Sequence, residues 1–455
     1  MTTPRTREHW SSRFGFLMAA IGSAVGLGIL WKFPYTVGEN GGGLFLISYF
    51  MCIALIGIPL FVAELVLGRR SQRAAVGAFD GNWRIAGWFG VAASFLIMSF
   101  YSVIAGWGIS YVLMSLSGFY QGLSGQEVVA VFKHLARSGG ISLFWHLVFT
   151  LLTMGIVFAG VRKGIEYWSK VMTRALLVLL LLLFAYSAIK LPGFGKAVHF
   201  VFVPDLNRFS FSSLMEAVGL AFFTMSLGQG IMISYGSYMK KDSDIPLMAG
   251  IVAGSIFVVA ILAALTIFPV VFSFDLPPES GYGLVFETLP FLFAQLPGAL
   301  VISTLFFVLF VFTALTSAIP LIEVVATNLM ELKGWKRKKA VLLTGAGCFV
   351  VGIPSAYAAS GAVFGNWERL FQMNFLETVN ELVSVWVIPI AGLLTAIYVG
   401  WIMDRNGRLE EFFQGTRFKW LFAPWLIFVR WLVPIIMLLI ISAKSGLIDF
   451  DGWVR

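Results

Sequence analysis

Ile21-Gly22-Ser23-Ala24-Val25-Gly26-Leu27-Gly28 sets three glycines within eight residues, inside an apolar stretch that begins near Arg13. A glycine in a helix interior costs about 1 kcal/mol relative to alanine. Such a run is either a small-residue face that lets helices approach closely or a break in the helix. A second stretch, Thr224-Met225-Ser226-Leu227-Gly228-Gln229-Gly230, interrupts another apolar segment in the same polar, glycine-rich way. Matching interruptions in two halves of a membrane protein point to a site near the midplane. Non-helical backbone survives at that depth only where it is buried in protein or lines a cavity. The N–H groups freed by a break suit an anion, and the freed carbonyls suit a cation.

Outward from these two breaks, the chain of 455 residues is 59% hydrophobic and 12% charged, with 44 Phe. Its mean hydropathy is +0.88. Soluble domains carry about 25% charged residues, so a water-surrounded globule is excluded. About 20 apolar residues span a bilayer as a helix. Eleven such stretches lie near 13–38, 43–68, 85–118, 142–159, 168–190, 214–238, 245–274, 299–330, 340–358, 371–403 and 420–444. The expected fold is an all-α integral membrane protein with eleven transmembrane helices, the first and sixth carrying the glycine-rich interruptions. The polar N-terminus and the long, glycine-interrupted first stretch do not read as a cleavable signal peptide. Cys52 and Cys348 sit far apart in apolar stretches and read as core residues. No low-complexity or charge-block segment suggests disorder.

The net charge of +9 could suggest nucleic acid, but that needs a basic soluble face. With the N-terminus placed inside, 22 of the 32 Lys and Arg fall on the inner side and 9 on the outer, with Arg430 inside the last span. Basic residues mark the cytoplasmic side. The N-terminus is therefore expected inside and the C-terminus outside in a multi-pass cell (cytoplasmic) membrane protein. The basic residues then face inner-leaflet lipid, and no nucleic-acid partner is needed. His9, His134, His146 and His199 are scattered without metal-ligand spacing. No phosphate-cradling glycine motif appears either, so enzyme chemistry finds no support.

Several stretches together carry a resemblance. Arg7-Glu8-His9-Trp10, Gly26-Leu27-Gly28-Ile29-Leu30-Trp31-Lys32-Phe33-Pro34-Tyr35 and Glu39-Asn40-Gly41-Gly42-Gly43 open the chain. Gly57-Ile58-Pro59-Leu60 with Glu64, Lys163-Gly164-Ile165-Glu166, Ala221-Phe222-Phe223-Thr224-Met225-Ser226-Leu227-Gly228 and Leu315-Thr316-Ser317 follow. In this order they resemble the neurotransmitter:sodium symporters over spans 1–8, with weaker likeness beyond. The eleven spans are similar to those of bacterial, amino-acid-transporting members. The resemblance implies that helices 1 and 6 are broken and that the spans form a five-plus-five inverted repeat: residues 13–190 as the first repeat and 214–403 as the second. Residues 1–12 form an inner N-terminal segment, 420–444 the eleventh span, and 445–455 an outer tail.

The resemblance also implies a sodium ion as coupled cofactor, held by the carbonyls of Gly22, Val25 and Thr313 and the hydroxyls of Thr316 and Ser317. Oxygen ligands suit such a hard cation. By themselves Thr316 and Ser317 would read as packing hydroxyls bonded to their own helix. A second sodium site known in relatives would need amides where this chain has Ile29 and, in span 7, a position near Ile256. Only Thr224 and the Ala24 carbonyl remain of that set. The position for an acid or a chloride-binding hydroxyl falls near Ala260, and its amide neighbour is Leu220. One sodium, no chloride dependence and no proton-carrying acid at that position are expected.

For substrate, the resemblance implies a clamp for a carboxylate made by the Leu27 and Gly28 N–H groups and the Tyr101 hydroxyl. Gly26 stands where monoamine carriers hold an aspartate, which argues against amine-only substrates and for amino acids or related small zwitterions. Ile97, Phe223, Ser226, Gln229, Ser317 and Leu321 would form the side-chain subsite beside Ala24 and Thr224. Gln229 either meets a polar group on the substrate or bonds freed backbone; both readings stand. Tyr101 and Phe223 would lid the site. Lys32 and Asn374 would form the outer gate, and Arg7 with Glu331 the inner one, near Trp10, Ser237 and Tyr238. Exposed pairs of this kind are worth only about 0–1 kcal/mol, weak enough to break in each cycle. Arg174, Glu64 and Glu323 are charges at membrane depth and candidates for function. Arg174 either snorkels to the inner interface or reaches the ion sites in place of a cation. The function expected is sodium-coupled import of amino acids. A proton-coupled or uncoupled carrier and a non-transporting amino-acid sensor remain as alternatives, and whether the chain forms a homodimer is open.

Overall fold

The computed structural model describes residues 8–119, 123, 125–206, 210–278 and 281–447. Among them, ten helices are long and apolar enough to cross a bilayer. Spans 1–5 are Arg13–Glu39, Gly43–Ser71, Gly81–Leu116, Gly139–Phe158 and Val161–Lys190. Spans 7–11 are Ile245–Ser273, Ala299–Lys333, Arg337–Ala356, Phe375–Ile402 and Lys419–Lys444. Span 6 is the exception, made of two short helices, Phe211–Thr224 and Ile231–Gly236.

Hydropathy places the spans well, and the ends differ for local reasons. Span 5 begins at Val161, earlier than expected, because a π-helical turn over Val161–Glu166 carries the helix through Arg162, Lys163 and Glu166. Span 10 begins at Phe375, where Asn374 caps the helix: its side chain accepts from Glu377 N while the Glu377 carboxylate accepts from Asn374 N. This reciprocal cap satisfies two backbone donors that a helix start leaves unpaired.

Both breaks are real. Span 1 is α-helical from Arg13, with Ser12 accepting from Gly15 N at its start, and that helix stops at Ala24. It resumes as a π-helical turn at Gly28–Lys32 and continues as the α-helix Phe33–Glu39. Span 6 stops at Thr224 and resumes at Ile231. Between them Ser226, Gly228 and Gly230 have φ of +55°, +67° and +69°. Gly228 is required twice over: its left-handed φ disfavours a side chain, and a Cβ there would lie 2.5 Å from the Ile388 carbonyl oxygen.

The broken spans lie at the centre. In its most apolar window span 1 is 89% buried, against 28% for span 11, which faces lipid. Short helices outside the spans are Gly125–Arg137, Phe194–Phe202, Thr288–Ala294, Trp367–Phe371 and Arg405–Phe413. The last is tied to span 2 by Arg69, fully buried, whose Nε donates to Glu411 Oε2 at 2.8 Å. Arg69 also donates to the Ser243 and Glu411 carbonyls.

Candidate functional site

The end of a helix leaves its last carbonyls without intrahelical partners. At the break of span 1 those carbonyls are met by hydroxyls from spans 6 and 8. Ser317 Oγ donates to Ser23 O at 2.9 Å and to Gly22 O at 3.5 Å, and Ser226 Oγ donates to Ser23 O at 3.3 Å. Ser23 Oγ and Ser226 Oγ share a hydrogen bond of 2.9 Å. On span 8, Thr316 Oγ1 donates to Thr313 O at 2.9 Å. A Cβ on Gly22 would sit 3.1 Å from Thr316 Cβ, so the two helices are in close contact there. Gly22, Thr313, Thr316 and Ser317 thus converge on one spot, with Val25 buried at the helix end beside them. Every donor atom in this set is a neutral oxygen, which fits a monovalent hard cation. Among the described residues no group of three or more His, Cys, Asp or Glu could hold a metal ion.

Beside this spot lies a small cavity. It is lined by Ala24, Gly26, Leu27, Gly28, Ile97, Tyr101, Phe223, Thr224, Ser226, Gln229, Ser317 and Leu321, the set selected from the sequence, and by Ser23, which was not. Leu27 N donates to the Tyr101 hydroxyl at 3.3 Å, which brings the first break and span 3 together. Gly26 is a point of close approach: a Cβ there would run into Ser317 Oγ. Ser94 donates to Gln229 O at 2.6 Å, which fixes that backbone and leaves the Gln229 side chain at the cavity wall. Among the described residues no charged side chain lines the cavity. Glu64, fully buried on span 2, accepts from Gly228 N at 2.8 Å and so holds the unwound turn of span 6 from behind.

On the other face of the first break the surroundings are apolar. Ile29, Ile256, Ala260 and Leu220 are all buried. The polar pair there is Tyr49 OH with Thr224 Oγ1 at 2.8 Å, and Thr224 in turn donates to Leu220 O.

Outside the cavity, Lys32 Nζ lies 5.5 Å from the Phe223 ring centroid, so Phe223 separates the cavity from the space above. That space is a cleft lined by Lys32, Glu39, Glu216, Glu381 and Lys444 among others. Asn374 does not line it and is occupied as a helix cap; the acid of span 10 that shares the cleft with Lys32 is Glu381. At the opposite end, Arg7 lies outside the described residues. Glu331 accepts from Ala74 N at 2.7 Å, and Trp10 Nε1 donates to Tyr235 O at 3.0 Å. Tyr238 OH donates to Glu323 Oε1 at 2.7 Å, and Arg337 donates to both Glu323 oxygens at 2.7 and 2.9 Å. In the sequence Arg337 sits in a run of basic residues, 336–339, that reads as topology alone. Arg174 is exposed and stacks over Phe14 at 5.1 Å.

A helical bundle whose two central helices break around a shared cavity has the construction of a secondary transporter. The model of the sodium:neurotransmitter symporter family matches residues 7–124 and 119–450, and the chain belongs to that family, whose members are sodium-dependent transporters and not enzymes. It is 37% identical over 449 residues, covering 97% of this chain and 98% of the other, to the uncharacterized sodium-dependent transporter YhdH of Bacillus subtilis. The crystal structure of MhsT in complex with L-phenylalanine superposes with a TM-score of 0.88 at 38% identity, over 96% of this chain and 99% of that one. The sodium-dependent neutral amino acid transporter B(0)AT2 of Bos taurus is 29% identical over 300 residues, 58% of this chain and 40% of its own length.

Proposed function

We propose that this sodium-dependent symporter imports neutral amino acids by alternating access, coupled to one sodium ion and independent of chloride. The observation that carries the reading is the juxtaposition at the span 1 break of an all-oxygen cluster (Gly22, Val25, Thr313, Thr316, Ser317) with a cavity that, among the described residues, is free of charged side chains. Sodium, the coupled cargo, would be held by that cluster and lend positive charge beside the substrate. The Leu27 and Gly28 N–H groups and the Tyr101 hydroxyl would take the substrate carboxylate, since N–H groups at a helix start favour an anion. Ala24, Ile97, Thr224, Ser226, Gln229 and Leu321 would surround the side chain. A charged side chain would be desolvated there without a partner, at a cost of several kcal/mol. The substrates are therefore neutral, and Gln229 extends the range to side chains that hydrogen-bond.

Phe223 and Tyr101 would close the cavity on the outer side, and Lys32 with Glu381 would close the cleft above it. On the inner side Glu323, Arg337 and Tyr238 would form a clasp, with Glu331 and Trp10 nearby. Orientation with the N-terminus inside a cell membrane follows from the excess of Lys and Arg at one end. The test is uptake into proteoliposomes from a panel of neutral, acidic and basic amino acids. Accumulation of neutral substrates driven by an inward sodium gradient is expected. Accumulation driven by a pH gradient without sodium, or tight binding without exchange, would contradict the proposal.

A further inference from the structure

Spans 10 and 11 meet at Gly400, toward the end of the bundle where Arg70 lies 4.0 Å from Asp404. A Cβ on Gly400 would lie 3.1 Å from Arg430 Cγ. The helix of span 10 ends at Ile402, so its last carbonyls lack intrahelical partners and attract a cation. They attract two. Arg408 Nη1 donates to Gly400 O at 2.7 Å and to Val399 O at 2.6 Å, and Arg430 Nε donates to the same Gly400 O at 2.7 Å. One carbonyl end accounts for one guanidinium, and the second brings excess positive charge.

That charge is answered only in part. Arg408 is 2% exposed and its Nε has no hydrogen-bond partner. Burial, and next the like charge of Arg430, shift its pKa below the ordinary arginine value. The nearby acid, Asp404, accepts from Gly407 N at 2.7 Å and is shared with Arg70. Arg430 lies inside span 11, yet its terminal nitrogens bond to none of the described residues. Its guanidinium stands 5.2 Å from the Trp401 ring, whose indole N–H donates to Arg430 O at 3.2 Å. Trp401 packs edge-on against Trp431 at 4.9 Å, and the two rings are 47% and 55% exposed on the outer surface of the bundle.

Half-exposed tryptophans on a membrane span belong at headgroup level, and a guanidinium fork matches phosphate oxygens in pairs. Basic pockets between membrane helices on the cytoplasmic side suit anionic lipid headgroups. We propose that Arg430, framed by Trp401 and Trp431 and backed by the charge of Arg408, binds the headgroup phosphate of an anionic phospholipid. A lipid fits better than a free ion because the unpaired donors stand beside two half-exposed tryptophans on the outer surface of the bundle, where span 10 ends. The bound lipid would steady the helix Arg405–Phe413, which holds Arg69 of span 2 through Glu411.

The test uses the full-length protein, delipidated in detergent, with native mass spectrometry and thermal shift on adding phosphatidylglycerol, phosphatidylcholine or inorganic phosphate. Phosphatidylglycerol should bind at least about 10-fold more tightly than phosphatidylcholine, as expected for a charge-assisted contact, and raise the melting temperature. Arg430→Gln should remove that preference and Arg430→Lys should weaken it, while Arg174→Gln, at an exposed arginine elsewhere, should keep it. Equal binding of the two lipids by the wild type would overturn the proposal without any variant. Retention of the preference in Arg430→Gln would also overturn it, as would inorganic phosphate reproducing the whole shift.

Discussion

The two faces of the break in span 1 share one backbone and differ in what stands opposite. Toward span 8, Ser317 brings its hydroxyl against the freed Gly22 and Ser23 carbonyls, and Thr316, in close contact with Gly22, donates to Thr313 O of its own helix. Toward span 7, Ile29 and Ile256 present branched alkyl groups, and a Tyr49–Thr224 hydroxyl pair is what remains of polarity. A broken helix by itself therefore does not make a cation site. It frees carbonyls, and side chains on the neighbouring helix decide whether enough oxygens converge to replace an ion's water. Desolvating a cation without that replacement costs far more than any single contact returns.

The largest effect should come from attacking the oxygen-rich face. Replacing Thr316 and Ser317 together by Ala removes two hydroxyls, each worth about 1.5–3 kcal/mol against a charged partner. Sodium-stimulated uptake should fall by about 100-fold or more, and an unchanged sodium dependence would break the distinction between the faces. Next is Gly26→Ala, whose Cβ would displace Ser317 Oγ. Loss of that one oxygen should raise the sodium concentration for half-maximal uptake about 10-fold. On the apolar face, Tyr49→Phe removes the hydrogen bond to Thr224 and should cost about 1 kcal/mol of stability, seen as a small drop in melting temperature. Sodium dependence should stay as it is, and its loss would mean that the apolar face holds an ion after all. Smallest of all, exchanging chloride for gluconate should leave uptake unaltered, because Leu220 and Ala260 offer an anion no donor.

The spans were legible because a bilayer demands long apolar helices, and the breaks because glycines at Gly228 and Gly230 have few other uses at that depth. The cavity residues were legible through motif order, since their spacing is local to each helix. Pairings between distant helices were not. Asn374 reads as a gate partner for Lys32, but an Asn three residues before a Glu at a helix start is taken by the backbone, and Glu381 lines the cleft instead. Arg337 and Glu323 lie on different spans, and nothing in the basic run 336–339 singles out the one side chain that turns inward. Nothing local marks Ser23, because its hydroxyl and carbonyl act through Ser226 and Ser317, contacts that exist only once spans 1, 6 and 8 pack. The face of span 5 that Arg174 occupies likewise depends on packing, which turns it outward over Phe14.

The central claim is that one face of the break binds sodium and the other does not. It is tested most directly by the sodium dependence of initial uptake rates in proteoliposomes, measured at saturating substrate together with the charge moved per substrate. A Hill coefficient of about 1 and one net positive charge per neutral amino acid are predicted, since a Hill coefficient is limited by the number of coupled sites. A coefficient clearly above 1 with two charges moved would place a second sodium opposite Ile29 and Ile256 and contradict the account.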